Sequence, residues 1–479
     1  MRRTRTTALA TLALLNVFTL AAGLAVAHML PPRLARLHIP VAAAHAVVNA
    51  IPVLAPVEAH STDAQATASP TARGLAAMLG AALPPAATGS GVGIEVADAG
   101  TGQVLYSANA GTPATPASTT KLVTVVAALA ALGPDARFTT TVRQVGDTVV
   151  LVGGGDPTLA VNEYPSSDYP RPATLAQLAA GTARALKARG NHSVRLGYDT
   201  ALFSGPDMAP GWTDSLIFTG NVTPIVALEA DQGRLTPGGT LQDSDDATNF
   251  RPRTTDPAGL TAGAFAALLA QDGITVAGPP AETAAPESAP VLARVSSPPL
   301  TTIADQMLRE SNNVIAENLA RHVAIALGQP ATFAGAAAAG LAEMRRLGIT
   351  TPISLVDGSG LSPQDAIAPE TLIRVLSLAA RTPKLRGALT GLPVAGFSGT
   401  LSAGGSVFGG IGGTARGVVR AKTGNLATVA SLAGLVYDRS GDLLLFAIMA
   451  PRVPGADRLQ QAAAALDPAA AGLATCGCS

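Results

Sequence analysis

The chain has little of the material on which most catalytic and binding chemistries are built. Of its 479 residues only 3% are aromatic, and the single tryptophan is Trp212. That leaves few stacking platforms for single-stranded nucleic acid. Charged residues make up 13% of the chain, 32 acidic against 32 basic, for a formal net charge of zero. With no basic excess, the electrostatic footprint of a nucleic-acid partner is missing. Of six histidines, His28, His38, His45 and His60 fall early, and only His192 and His322 lie in the body. No H-E-x-x-H, C-x-x-C or G-x-S-x-G occurs. A zinc enzyme or a Ser-His-Asp hydrolase therefore has little to build with, and no metal or cofactor is expected. Cysteine is confined to Cys476 and Cys478 in the last four residues. One intervening residue makes a disulfide tight, whereas export favours oxidation; a small disulfide and two free thiols both stay open, neither with a catalytic role.

Lysine is the most telling scarcity. There are 28 Arg and only four Lys: Lys121, Lys187, Lys384 and Lys422. Guanidinium stays charged, so a residue that must give up a proton cannot be Arg. Lys121 and Lys422 stand out for that reason.

What is present is a 48% hydrophobic chain with 50 Gly and 36 Pro. That is long enough for a sizeable core and for two or more domains. Its centre is Pro116-Ala117-Ser118-Thr119-Thr120-Lys121, just ahead of the apolar run Leu122–Leu129. Residues three apart share a helix face, so a helix starting near Ser118 brings the Lys121 amine to the Ser118 hydroxyl. Nucleophile, base and a helix N-terminal N–H are the minimum apparatus of an activated serine. The competing reading of this stretch alone is a plain Ser N-cap.

In chain order, Arg2, Arg3 and Arg5 precede an uncharged run with its core at Ala8–Val26. It is long enough to span a bilayer, and its flank sends the remainder outward. Residues 1–30 read as a signal or retained anchor; Ala25-Val26-Ala27 offers a cleavage site, whereas the length favours an anchor. Residues 31–70 form an Ala/Pro-rich spacer. Residues 71–134 hold a helix (71–82), a hairpin (91–96 with 104–107) and the Ser118 helix. Residues 135–295 read as an inserted, mainly-β domain, with the acidic turn Gly153-Gly154-Gly155-Asp156-Pro157. Residues 296–475 carry a helical pattern over 301–327, broken by Glu310-Ser311-Asn312-Asn313, which in isolation reads as an exposed turn. The same part has a Gly-rich turn at Asp357–Ser362, a helix over 369–380, strands over 417–423, 427–437 and 443–449, and a last helix over 455–474. Two strands early and three late give a five-stranded antiparallel sheet flanked by helices, an α+β fold. Gly410–Ala415 matches G-x-G-x-x-A but reads as a loop, because no strand precedes it.

Three polar triplets then stand in order: Ser118-x-x-Lys121, Ser311-x-Asn313 and Lys422-Thr423-Gly424. With them the chain resembles the serine penicillin-recognising enzymes. The long insertion and the stretches Leu151–Leu159, Asp357–Ser362 and Ala421–Gly424 resemble the class C low-molecular-mass penicillin-binding proteins, the D-alanyl-D-alanine carboxypeptidase/endopeptidase family. The resemblance covers about Thr71 to Ala450 and implies a β-lactamase/transpeptidase-like fold. It implies that Ser118 attacks the penultimate D-Ala carbonyl of a peptidoglycan stem peptide as a D,D-carboxypeptidase, with D,D-endopeptidase action on cross-links as a further activity. Lys121, its pKa lowered by burial and a cationic neighbour, takes the proton. Ser311 relays it to the leaving amine, and Asn313 orients the peptide. Lys422 supplies positive potential, and Thr423 and Gly424 belong to the carboxylate site. The Ser118 and Asn425 amides form the oxyanion hole. Asp156 is expected to help hold an ammonium on the substrate side chain. β-Lactams are the implied covalent inhibitors, and the place of action is outside the cytoplasmic membrane. Two residues depart from the family pattern: Asn425 where Thr is usual, and Pro363 where a basic residue is common. A β-lactamase or esterase, and a non-catalytic peptidoglycan-binding protein on the same fold, stand as alternatives.

Overall fold

The computed structural model describes residues 70–163, 171–236, 238, 251–402, 415–454 and 459–478. The anchor and spacer expected over 1–70, apart from Pro70, and all of the G-x-G-x-x-A stretch but Ala415, lie outside the described residues. Helix α1 (Ala72–Ala82) is capped by Thr71, whose hydroxyl accepts the Gly74 N–H. Strands β1 (Gly93–Asp98) and β2 (Val104–Ala108) form the expected hairpin. A single 3₁₀ turn, Ala117–Thr119, then leads into α2 (Thr120–Leu132). Every residue of α2 from Thr120 to Ala130 is buried, as its unbroken apolar run dictates; a helix with no polar face belongs at the centre of a layer.

The insertion comprises β3 (Thr139–Val145), β4 (Thr148–Val152), α3 (Leu175–Lys187), β5 (Ser193–Asp199), α4 (Pro257–Gln271), β6 (Thr275–Val276), β7 (Ala281–Glu282) and β8 (Val291–Ser296). Its sheet has the order β6-β5-β4-β3-β8, with β7 also on β5. The β4–β5, β5–β6 and β5–β7 pairs are parallel, and β3 pairs antiparallel with β4 and β8. This corrects the expectation of a mainly-β insert. Helices α3 and α4 bury Leu175, Leu178, Leu186, Phe265 and Leu269 against β3, β4 and β5, so the insert is a mixed sheet covered by helices. The parallel β4–β5 pair demands such a crossover helix, here α3. A second cluster joins insert residues Phe203, Trp212, Val222 and Ile225 to Val314, Phe333 and Leu361, so the insert is docked on the remainder of the fold.

The chain returns through α5 (Leu300–Glu310), α6 (Asn313–Ala326), α7 (Phe333–Arg346), the short pair β9 (Ile353–Ser354) and β10 (Ala366–Ile367), and α8 (Pro369–Arg381). It closes with β11 (Val419–Leu426), β12 (Val429–Tyr437), β13 (Leu443–Ala450) and α9 (Leu459–Thr475). The main sheet runs β11-β12-β13-β1-β2, antiparallel throughout, as expected. One face packs on α1 and α9, with Leu75, Leu79, Leu466, Ala470 and Leu473 against Val96, Leu432, Phe446 and Ile448. Cys476 and Cys478 form a disulfide, and the Cys478 carbonyl accepts the Thr71 N–H at 2.6 Å. The two ends of the domain are thereby stapled side by side. Among the described residues, no helix is long and apolar enough to cross a membrane.

Candidate active site

The Ser118 turn is held from three sides. Ala117, just before it, has φ 49, a left-handed conformation that costs a residue with a side chain on the order of 1 kcal/mol and marks an over-determined backbone. From β11, Gly424 comes so close that a Cβ would strike the Pro116 carbonyl and the Ser431 hydroxyl. From the 357–362 loop, Gly360 (φ 82) packs against the Ala117 carbonyl with no room for a Cβ. From β12, the Ser431 hydroxyl donates to the Pro116 carbonyl at 2.6 Å. The plain-cap reading of Ser118 fails here: the N-cap of α2 is Thr119, and no side chain caps it. Ser118 remains half-buried, open to a reaction partner.

Lys121 lies one turn on and is wholly buried. Its Nζ is 2.9 Å from Ser118 Oγ, 2.7 Å from Asn313 Oδ1 and 2.7 Å from the Ser359 carbonyl. Three acceptors match the three donors of an ammonium. They also fit the free amine, which would donate to Asn313 and Ser359 and accept the Ser118 O–H. Burial brings the Lys121 pKa from 10.5 down to about 7, against the pull of Asp357, Glu317 and Asp365. Both forms are then accessible near neutrality, which a base requires. The expected cause is half right: burial is responsible, but the charges acting on Lys121 are acidic, not cationic.

The second and third triplets arrive on element ends. Ser311 closes α5 in a left-handed conformation (φ 57), and Asn313 opens α6. The turn between them is not exposed, since Asn312 is buried and its amide donates to Gln232 of the insert. Asn313 is fixed at both ends, its Nδ2 donating 2.9 Å to the Asn221 carbonyl of the insert. Lys422 is fully buried on β11 and donates to the Thr423 carbonyl at 2.8 Å. Burial, then the charge of Lys121, pushes its pKa well down. Thr423 donates to Thr400 Oγ1 at 2.8 Å. The Ala421 N–H points away from β12, to the Pro393 carbonyl. Strand alternation turns the Thr423 and Asn425 amides the same way, off the sheet edge. Asn425 itself is exposed.

Asp156 is not brought to this constellation. It is 3% exposed, its Oδ1 accepts the Thr158 N–H and hydroxyl, and burial raises its pKa to about 6. The carboxyl caps its own turn inside the fold through Oδ1, and its Oδ2 has no hydrogen-bond partner among the described residues. Pro363 accepts a hydrogen bond through its carbonyl from the hydroxyl of Thr115, three residues before Ser118.

Several residues with a part in the site carried no role in the sequence reading. Asp357 takes four donors: Ser359 N and Gly360 N on Oδ1, Ser362 N and Trp212 Nε1 on Oδ2. Glu317 accepts the Gly358 N–H, and its pKa is raised by burial and by Asp357. Glu317 was findable, being four residues after Asn313 on α6 and so on the same helix face. The Asn221 and Ser359 contributions are backbone carbonyls and leave no mark in a sequence. Among the described residues, no group of three or more His, Cys, Asp or Glu is placed to hold a metal ion.

Comparison with known proteins agrees with this geometry. A carboxypeptidase of Mycolicibacterium smegmatis, DacB, is 39% identical over 418 residues, covering 86% of each chain. A D-alanyl-D-alanine carboxypeptidase of an Actinomadura species is 32% identical over 431 residues, covering 75% of this chain and 77% of its own. In fold, the crystal structure of penicillin binding protein 4 from Haemophilus influenzae superposes with a TM-score of 0.64 at 24% identity, over 81% of this chain and 97% of that one. The D-Ala-D-Ala carboxypeptidase 3 (S13) family model matches residues 75–240 and 234–472, and with these relatives it shows that the chain belongs to that family of serine peptidases.

Proposed function

We propose that this enzyme removes the terminal D-Ala of peptidoglycan stem peptides through an acyl-enzyme on Ser118, with the roles divided as follows. The observation that carries the reading is the Ser118–Lys121–Asn313 relay in a member of this family, with hydrogen bonds of 2.9 and 2.7 Å. The Lys121 amine takes the Ser118 proton as Oγ bonds to the penultimate D-Ala carbonyl carbon. The Ser118 and Asn425 amides receive the oxyanion; the outward set of the Asn425 N–H supports this. As the C–N bond breaks, the proton passes from Lys121 to the leaving amine by way of Ser311. Asn313, locked by Asn221, orients the peptide. Thr423 and Thr400 offer hydroxyls to the terminal carboxylate, and that anion restores the charge of Lys422, since an opposite charge favours the protonated form. Water then releases the acyl group. The Arg-flanked apolar run near the N-terminus supports action outside the cytoplasmic membrane, with a retained anchor.

The test is direct. The domain from about Thr71 onward is incubated with a pentapeptide ending in D-Ala-D-Ala, and products are identified by mass. Loss of one alanine is expected, together with stable labelling by penicillin that Ser118→Ala abolishes. A folded wild-type protein that takes no penicillin label sinks the reading. Fast release of hydrolysed penicillin would instead favour a β-lactamase.

A further inference from the structure

The 357–362 loop lies against the nucleophile turn and the start of α2. Its Ser359 carbonyl holds Lys121 Nζ, its Gly358 carbonyl accepts the Thr124 hydroxyl at 2.6 Å, and Gly360 lies on Ala117. Six residues with two glycines have no stiffness of their own. What shapes them is the Asp357 carboxylate, around which the Ser359, Gly360 and Ser362 amides fold at 3.1, 2.7 and 2.6 Å. The fourth donor comes from outside the loop: Trp212 Nε1, at 2.8 Å, from the insert. Trp212 is itself fixed, 9% exposed and edge-on to Phe333 at 5.3 Å between ring centres. Beside it the Ser362 hydroxyl donates to the Pro210 carbonyl at 2.9 Å, so the insert grips both ends of the loop.

We propose that Trp212 is a positioning residue for Lys121: its indole N–H fixes the Asp357 carboxylate, which shapes the loop whose Ser359 carbonyl seats the lysine. The inserted segment is then a working part of the catalytic site and not an appendage. The proposal rests on the reading of Ser118 and Lys121 as nucleophile and base. The charged groups around Lys121 are Asp357 and Asp365 from the loop region, Glu317 from α6, and Lys422 from β11. Arg321 acts on Glu317 from the same helix. Of these, Asp357 alone receives a donor from the insert. Losing that donor loosens the turn around Asp357 and with it the seat of the Ser359 carbonyl on Lys121. A hydrogen bond to the ammonium favours the charged form, so with that contact weakened Lys121 releases its proton at lower pH.

The experiment uses Trp212→Phe, which keeps an aromatic ring on Phe333 and removes the N–H. Penicillin acylation is measured across pH, per folded molecule, with circular dichroism and thermal unfolding alongside. Acylation about tenfold slower, as expected for a lost hydrogen bond to a charged group, is predicted with the acid limb moved to lower pH. A variant with the wild-type rate and the wild-type acid limb overturns the proposal, as does a slower variant whose limb has not moved. Should the variant not fold, the wild type decides. Its one tryptophan should change emission along the acid limb of acylation, and emission flat across that limb overturns the coupling. A wild-type protein that never acylates is the separate failure, that of the functional reading itself.

Discussion

At the scale of the residue, Lys121 and Lys422 show how one environment sets two ammonium groups to different ends. Both are wholly buried, and the charge of Lys121 disfavours that of Lys422, but three carboxyls pull on Lys121 and none acts on Lys422. Lys121 therefore settles at about 7, where proton exchange is easy. The amine is the active form, so acylation should rise with pH through about 7 and then level off, measured as penicillin labelling rate against pH. The stability consequence has a definite sign. The folded pKa is about 7 and the ordinary value 10.5, so between them the unfolded chain holds the extra proton, and this group's contribution to stability rises with pH across that window. Lys121→Arg should abolish the base without removing the charge. We expect acylation to fall at least on the order of a thousandfold, because guanidinium does not deprotonate in this range.

At the scale of the element, the site is a junction of ends. The 3₁₀ turn before α2, the α5–α6 break and the far half of β11 each contribute one triplet, and close backbone contact holds them in register. Gly424 is one such contact, since a Cβ there would meet Ser431 Oγ and Pro116 O. Gly424→Ala should push β11 away from the Ser118 turn. The expected outcome is a fall in acylation of about a hundredfold, since about 1 Å of misplacement can cost that much, with the circular dichroism spectrum retained. Wild-type labelling by Gly424→Ala would show that the strand has slack. The αL turn at Ser311 has the same logic: it ends one helix so that the next can begin with Asn313 aimed at Lys121.

At the scale of the whole molecule, the chain leaves its main sheet after β2, builds the insert and returns to finish the sheet with β11, β12 and β13. Such a design needs its ends held together, and the packing of α1 on α9 and the Thr71 N–H to Cys478 carbonyl hydrogen bond do this, beside the Cys476–Cys478 disulfide. The bridge closes a very small loop, for which the chain-entropy account gives only about 1–2 kcal/mol. Replacing both cysteines by serine should therefore lower the thermal midpoint by a few degrees in a scan under oxidising conditions. Penicillin labelling of the folded fraction should stay unchanged, because the tail lies on α1 and outside the Ser118 constellation.

The three triplets, the number and antiparallel pairing of the five sheet strands and the pairing of Ser118 with Lys121 were legible in the residues. Spacing within a helix and alternation in a strand are local rules, and the scarcity of Lys gave Lys121 its weight before any contact was known. The tertiary structure alone decided four matters. It buried Asp156 in its own turn, because burial depends on what packs over a loop and not on the loop's composition. It made the insert a helix-covered mixed sheet, because parallel pairing joins segments distant in sequence. It set acidic groups, not a cation, behind Lys121. It also brought Trp212 to Asp357, 145 positions away, a meeting that only the docking of one folded part on another produces.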